Sequence, residues 1–173
     1  MRKIFIVFLI FFLAACGRDV EAEKPAPVAL TQDAAGHYCQ MIILDHDGPK
    51  SQAHLLNNGN PLWFSQVRDA LAFMKSPDKT FEITVVYVND IGAAPSWSDM
   101  GVDNWIEAKT AFYVVGSDAK GGMGAPEFVP FAEIEKANDF AKERGGKVLS
   151  FDEISAEMVL APLYDGETPN NTN

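Results

Sequence analysis

The sequence predicts an α+β fold made of two similar halves, each with the order strand, strand, helix, strand. The main observation is a pair of amphipathic stretches in which apolar residues of like type recur at offsets 0, 3, 6 and 9. This spacing is typical of one face of a helix. The matched residues, 67 positions apart, are Phe64, Val67, Ala70 and Phe73 in the first stretch and Phe131, Ile134, Ala137 and Phe140 in the second.

Extended segments flank both predicted helices in the same order, which indicates a duplication. These segments are short, apolar and bounded by turn-forming residues, as β-strands are. The predicted elements are, in chain order, strands 38–44 and 52–56, helix 64–73 and strand 81–88, then strands 111–115 and 127–129, helix 131–140 and strand 147–151.

A segment with two Trp and few β-forming residues, 89–109, connects the halves. A loop of this length inside a compact domain is usually functional or a wrap-around connection. We expect Trp97 and Trp105 to pin it to the core, because buried aromatic side chains carry a large apolar area. A ligand-binding face formed by the two indoles is the alternative.

The N-terminus resembles a lipoprotein signal. Arg2 and Lys3 precede an apolar run at 4–13, which is too short to span a bilayer stably. Leu-Ala-Ala-Cys at 13–16 then resembles a lipobox, in which Cys16 is acylated after residues 1–15 are removed. An ordinary secretion signal or an uncleaved apolar anchor are the alternatives. Gly17, where Asp would retain a lipoprotein in the inner membrane, favours the outer membrane, facing the periplasm.

The remaining chain divides into a tether, a body and a tail. Residues 16–35 contain Pro, Ala and charged residues, and we expect a flexible lipidated tether there. The folded domain is expected at 36–160, with halves at about 36–90 and 103–160, and a disordered tail at 161–173. The net charge of −10 argues against binding nucleic acid and suits a cationic partner or a metal ion.

The densest group of metal-binding side chains is His37, Cys39 and Met41. On a strand, residues two apart share a face, so these three would lie side by side. With Cys16 lipidated, Cys39 has no partner for a disulfide in an oxidising compartment. Thiolate and thioether are soft ligands that favour Cu(I) over zinc. Simple burial of Cys39 and Met41 in the core is the alternative interpretation.

Met123 is a candidate third sulfur ligand. Glycines on both sides allow its loop to turn sharply and to approach other segments closely, so that it could reach Cys39. A plain hairpin turn with Met123 filling a gap is the alternative. The segment is not a phosphate loop, because no Gly-Lys-Ser/Thr follows. We expect His46 to be a solvated residue in a turn and His54 to lie in the core or at a sheet edge.

Four sequence blocks carry a resemblance to a known family, the nitrous oxide reductase accessory lipoproteins, NosL. The blocks are GHYCQMIILDHDGPKSQAHL, PLWFSQVRDALAF, APSWSDMGVDNWIEA and GSDAKGGMGAPEFVPF. The resemblance implies a periplasmic lipoprotein that binds one Cu(I) and helps assemble the copper-sulfide centre of nitrous oxide reductase. It also implies two ββαβ halves related to a domain of organomercurial lyases.

The resemblance further implies the site residues and the partners. Cys39 and Met41 correspond to the family's CxM pair, and Met123 and His37 are additional candidate ligands. The implied partners are apo nitrous oxide reductase, an associated membrane maturation transporter and the membrane itself. We therefore expect a copper chaperone without catalytic turnover.

Two other functions remain open. One is a metal-free adaptor that docks the reductase or its transporter through the segment 97–105. The other is a thiol-dependent, lyase-like enzyme, although cleavage of a carbon–mercury bond would call for more than one thiol and the mature chain offers only Cys39.

Overall fold

The fold is described from a computed structural model that covers residues 24–78 and 80–161. The predicted signal peptide, the predicted lipidation site Cys16 and the predicted tail beyond residue 161 lie outside these residues. Among the described residues, no helix is both long and apolar enough to cross a membrane.

Residues 24–78 and 80–161 contain seven strands and three α-helices. The strands are β1 (Ser51–Leu55), β2 (Leu62–Phe64), β3 (Ile83–Val88), β4 (Ile106–Glu107), β5 (Phe112–Lys120), β6 (Pro126–Phe131) and β7 (Lys147–Ser150). The helices are α1 (Val67–Lys75), α2 (Ile134–Arg144) and α3 (Ala156–Leu160), and short 3₁₀ helices occur at Ile43–Asp45 and Phe151–Glu153.

The two halves share one topology, as the sequence predicted. The first sheet has the order β2-β1-β3-β4 and the second has the order β6-β5-β7, with antiparallel pairing throughout. Each half therefore contains strand, strand, helix, strand, and its first strand lies at the centre of the three. Helix α1 begins at Val67 and α2 begins at Ile134, which is the predicted spacing of 67 residues.

The prediction of a strand at 38–44 was wrong. This segment folds back on itself: Gly36 N donates to Met41 O at 2.9 Å, and Gln40 N donates to Gly36 O at 2.9 Å. Gln40 has a φ of 57°, which ends any extended conformation there. The first half instead obtains its second strand from β2, where no strand was predicted and where Phe64 had been expected to begin the helix.

One hydrophobic core joins the halves. Phe64 and Leu71 from the first half pack in the same buried cluster as Tyr113 and Phe128 from the second. The connecting segment is attached as expected: Trp97 packs beside a second buried cluster around Val129, and its carbonyl accepts a hydrogen bond from Gly48 N at 2.8 Å. The rings of Trp105 and Trp63 lie 5.9 Å apart.

The described part of the predicted tether, residues 24–35, contacts the body. Lys24 forms an ion pair with Glu107 at 2.9 Å, and Tyr87 donates a hydrogen bond to Pro25 O at 2.8 Å. The Gln52 side chain bonds both backbone groups of Val28, at 2.8 and 2.9 Å. This part of the chain therefore lies along β1, β3 and β4.

A buried carboxyl group fastens the second half to the first. Glu127 on β6 accepts hydrogen bonds from Val67 N at 3.1 Å and Arg68 N at 2.9 Å, the first two amides of α1. Phe128 N also donates to it, at 2.9 Å. Complete burial raises the pKa of Glu127 to about 7, while the three N–H donors act in the opposite direction.

We expect Glu127→Ala to lower the free energy of unfolding by about 3 kcal/mol, because it leaves two buried amides of α1 without an acceptor. Urea unfolding of the unlipidated domain measures this loss. Glu153→Ala is a matched control, since Glu153 caps an exposed 3₁₀ turn through Ser150 N and should cost much less. Equal losses in the two variants would contradict the role assigned to Glu127.

Stability should also depend on pH through Glu127. Its native pKa of about 7 lies above the ordinary value of 4.5, so between these pH values the native state binds more protons than the unfolded chain. The contribution of this group to the free energy of unfolding therefore falls as the pH rises from 4.5 to 7. Relative to Glu127→Gln, wild type should lose about 3 kcal/mol between pH 4.5 and 7.5 in urea unfolding. If the free energy of unfolding changed with pH equally in wild type and Glu127→Gln, this assignment would be wrong.

Candidate metal centre

Cys39 lies in a tight turn at the edge of the first half. Its Sγ is 3.7 Å from Ser65 Oγ, just before α1, and 4.0 Å from Met41 O. Gly36 permits this arrangement, because a methyl group at position 36 would overlap Cys39 Sγ. The thiol is half-buried and is not part of a disulfide. Cys39 is therefore held against the N-terminal end of α1 while remaining accessible from one side.

Met41 follows Cys39 in the same folded-back segment, so the expected alternation along a strand does not occur. Its side chain is 42% exposed, which rules out the alternative of a core methionine. The thioether-bearing side chain is therefore at the surface, two residues after Cys39 in the chain.

Met123 lies at the tip of the hairpin between β5 and β6. Gly121 N and Ala125 O close the hairpin at 2.8 Å, and Gly124 has the positive φ of 79° that the turn requires. The Met123 side chain is 43% exposed and does not fill a gap in the core. Its backbone N–H donates to Gln66 Oε1 at 3.3 Å.

The hairpin tip packs against the residues that contact Cys39. A Cβ atom at Gly122 would lie 2.6 Å from Ser65 O and 2.8 Å from His46 Cβ, so only glycine allows this approach. Since Ser65 also contacts Cys39 Sγ, the fold brings the segments carrying Cys39 and Met123 to one place. The roles of Cys39 and Met123 as metal ligands stay predictions.

His37 points into an aromatic cluster. Its ring centroid lies 5.1 Å from that of Tyr38 and 5.8 Å from those of Phe64 and Phe73. It also lines a cavity of about 190 Å³ together with Phe81. Its role as a copper ligand stays a prediction, because the strand that was expected to align it with Cys39 is not formed.

The other two histidines differ in how well the sequence predicted them. His54 is buried, with Nε2 2.9 Å from Gln52 Oε1, as expected for a core histidine, and burial lowers its pKa. His46 is not the solvated residue we expected. Its Nε2 is buried and has no hydrogen-bond partner among the described residues.

Sequence analysis missed several polar residues that build the site. Lys50 is buried, and its ammonium group donates to three successive carbonyl oxygens of residues 46–48, at 2.5, 3.0 and 2.7 Å. Burial lowers the pKa of Lys50 to about 8, although Glu127 and Asp47 act in the opposite direction. Lys50 thus fixes the segment against which Gly122 packs. In the sequence, the one signal for a special role of Lys50 is its position after a turn, in Gly-Pro-Lys-Ser.

The donor chemistry suits a soft metal ion. One thiol and two exposed thioethers lie on segments that meet at Ser65 and Gln66. Within residues 24–78 and 80–161, no group of three or more His, Cys, Asp or Glu side chains could hold a metal ion. Thiol and thioether sulfur bind Cu(I) in preference to harder ions.

Comparison with known proteins gives consistent matches. A curated "Copper-binding lipoprotein NosL" from Achromobacter cycloclastes is 46% identical over 98% of this chain and 88% of its own length. One of the same name from Stutzerimonas stutzeri is 34% identical over 88% of this chain and 79% of its own. These names describe metal-binding proteins and not enzymes, in agreement with the expectation of a protein without turnover.

A solved structure supports the same conclusion. The crystal structure of the copper chaperone NosL from Shewanella denitrificans has a TM-score of 0.70 and 31% identity, and the match covers 76% of this chain and 96% of that one. The sequence model of the NosL family matches residues 27–159, which is most of the described body. The chain belongs to the NosL family.

Proposed function

We propose that this chain is a membrane-anchored lipoprotein that binds Cu(I) and delivers it to apo nitrous oxide reductase for assembly of the copper-sulfide centre. The observation that carries the proposal is the meeting of the Cys39 and Met123 segments at Ser65 and Gln66. The names of the relatives, which describe copper binding, a lipoprotein and a chaperone, support it.

The oxidation state follows from the donors. Cys39 supplies a thiolate, and Met41 and Met123 supply thioethers, which are soft ligands suited to Cu(I). Their exposure favours release, because an incoming thiol or imidazole of a partner can reach the ion without unfolding the body. A carrier needs both tight binding and such an exchange path.

The location follows from the N-terminus. Cys16 as the lipid attachment, with Gly17 after it, supports a location at the outer membrane, facing the periplasm. The associated maturation transporter is a second proposed partner, through which the chain would meet the reductase during its assembly.

Cu(I) titration against a competing chelator, on the reduced and unlipidated domain, tests the ligands. We expect Cys39→Ser to lower the affinity at least about a hundredfold, and Met41→Leu and Met123→Leu to lower it about tenfold each, because each removes one sulfur donor. Met158→Leu is the control, since Met158 packs at the edge of the core and should leave the affinity unchanged.

The same titration assigns His37. His37→Phe keeps an aromatic ring beside Phe64 and Phe73 and removes the imidazole. A loss of affinity would make His37 a ligand, whereas an unchanged affinity would restrict the site to sulfur. Binding that is unaffected by Cys39→Ser and by both Met variants would overturn the proposed function.

Delivery is tested by mixing the Cu(I)-loaded domain with apo nitrous oxide reductase. We expect the reductase to gain copper from the loaded domain faster than from the chelator alone, and not to gain it from Cys39→Ser. The copper content of the separated proteins measures this. If Cys39→Ser supported maturation of the reductase in cells as well as wild type does, the chain would act as a metal-free adaptor.

A further inference from the structure

We propose that Gln66 is a positioning residue that holds Met123 ready for the metal ion. This inference rests on the proposed function, because it concerns the same copper site. It assigns to Gln66 no contact with the ion: the side-chain amide acts only through the backbone of the hairpin tip that carries Met123.

The buried Gln66 side chain connects α1 to the β5–β6 hairpin through hydrogen bonds. Its Oε1 accepts a hydrogen bond from Met123 N at 3.3 Å, and its Nε2 donates to Asp69 Oδ1 at 2.9 Å in the first turn of α1. Gln66 is only 5% exposed, so losing either bond would leave a buried polar group unsatisfied. The amide is therefore fixed at both ends.

The Gln66 side chain does not cap α1. It occupies the N-cap position of the helix but makes no side-chain capping hydrogen bond, and Glu127 accepts from the first amides instead. The side chain is thus left to contact the hairpin tip. Gly121 makes room for it, since a Cβ atom at that position would lie 2.8 Å from both Gln66 Cβ and Gln66 Oε1.

Ser65, the residue before Gln66, connects the Cys39 thiol to the same hairpin. Ser65 Oγ contacts Cys39 Sγ at 3.7 Å, and Ser65 O lies against Gly122. Ser65 therefore contacts both the Cys39 thiol and the loop that carries Met123, and Gln66 contacts the same loop. A loop tip with an exposed methionine samples many conformations unless its backbone is held, and holding it reduces the entropy lost when the metal binds.

A double-mutant cycle on the reduced domain, titrated with Cu(I), separates positioning from general stability. Gln66→Leu should lower the Cu(I) affinity about tenfold in the wild-type background, as supporting residues around metal ligands do. In the Met123→Leu background the same change should have less than about a twofold effect, because the residue it acts through is gone. Gln52→Leu is the matched control: Gln52 is equally buried but bonds Val28 and His54, so it should reduce stability without changing affinity.

Gly122→Ala provides a second variant if Gln66→Leu fails to fold. It keeps every donor atom and forces the hairpin tip away from Ser65 O and His46, so it should also weaken Cu(I) binding only while Met123 is present. Equal losses in the wild-type and Met123→Leu backgrounds, or no loss in either, would overturn the inference. In that case Cu(I) binding that still depends on Cys39 would leave the proposed function standing, whereas a wild-type domain that binds no Cu(I) would overturn both.

Discussion

The hydrogen bonds from the start of α1 to the buried carboxyl group of Glu127 join the two halves in a single relative position. The first amides of a helix need acceptors, and α1 receives them from the other half of the molecule and not from its own N-cap. Burial of a carboxyl group is costly unless it is hydrogen-bonded, and the partial positive charge at a helix N-terminus offsets part of that cost. Because Glu127 lies at the start of β6, directly after the turn of the β5–β6 hairpin, the same hydrogen bonds hold the tip of that hairpin against the residues just before α1.

The candidate metal centre therefore combines segments from both halves. Cys39 and Met41 come from the segment of the first half that precedes β1, and Met123 comes from the first hairpin of the second half. Glycines at 36 and 122 allow backbone and sulfur to approach where any side chain would overlap. Lys50 stabilises the segment 46–48 by donating hydrogen bonds to its three carbonyl oxygens. The two methionine side chains are exposed and Cys39 is half-buried, while the supporting side chains of Lys50 and Gln66 are buried.

Much of the fold could be predicted from the sequence, because helix periodicity and strand composition are local signals. The spacing between Val67 and Ile134, the order of elements and the attachment of Trp97 follow from such signals. The segment 38–44 could not be predicted, because its turn depends on a positive φ at Gln40 and on hydrogen bonds within the segment and to Ala34. The ligand types at Cys39 and Met123 were recognisable, whereas the partners Ser65, Gln66 and Glu127 depend on contacts between residues distant in sequence.

Residues 24–28 are attached along β1, β3 and β4. With Cys16 as the proposed point of lipid attachment, residues 16–23 connect the acyl chains to this attached segment. Eight residues span at most about 28 Å when fully extended. Copper exchange would then be confined to a thin layer above the bilayer, and a client would have to enter that layer to be loaded.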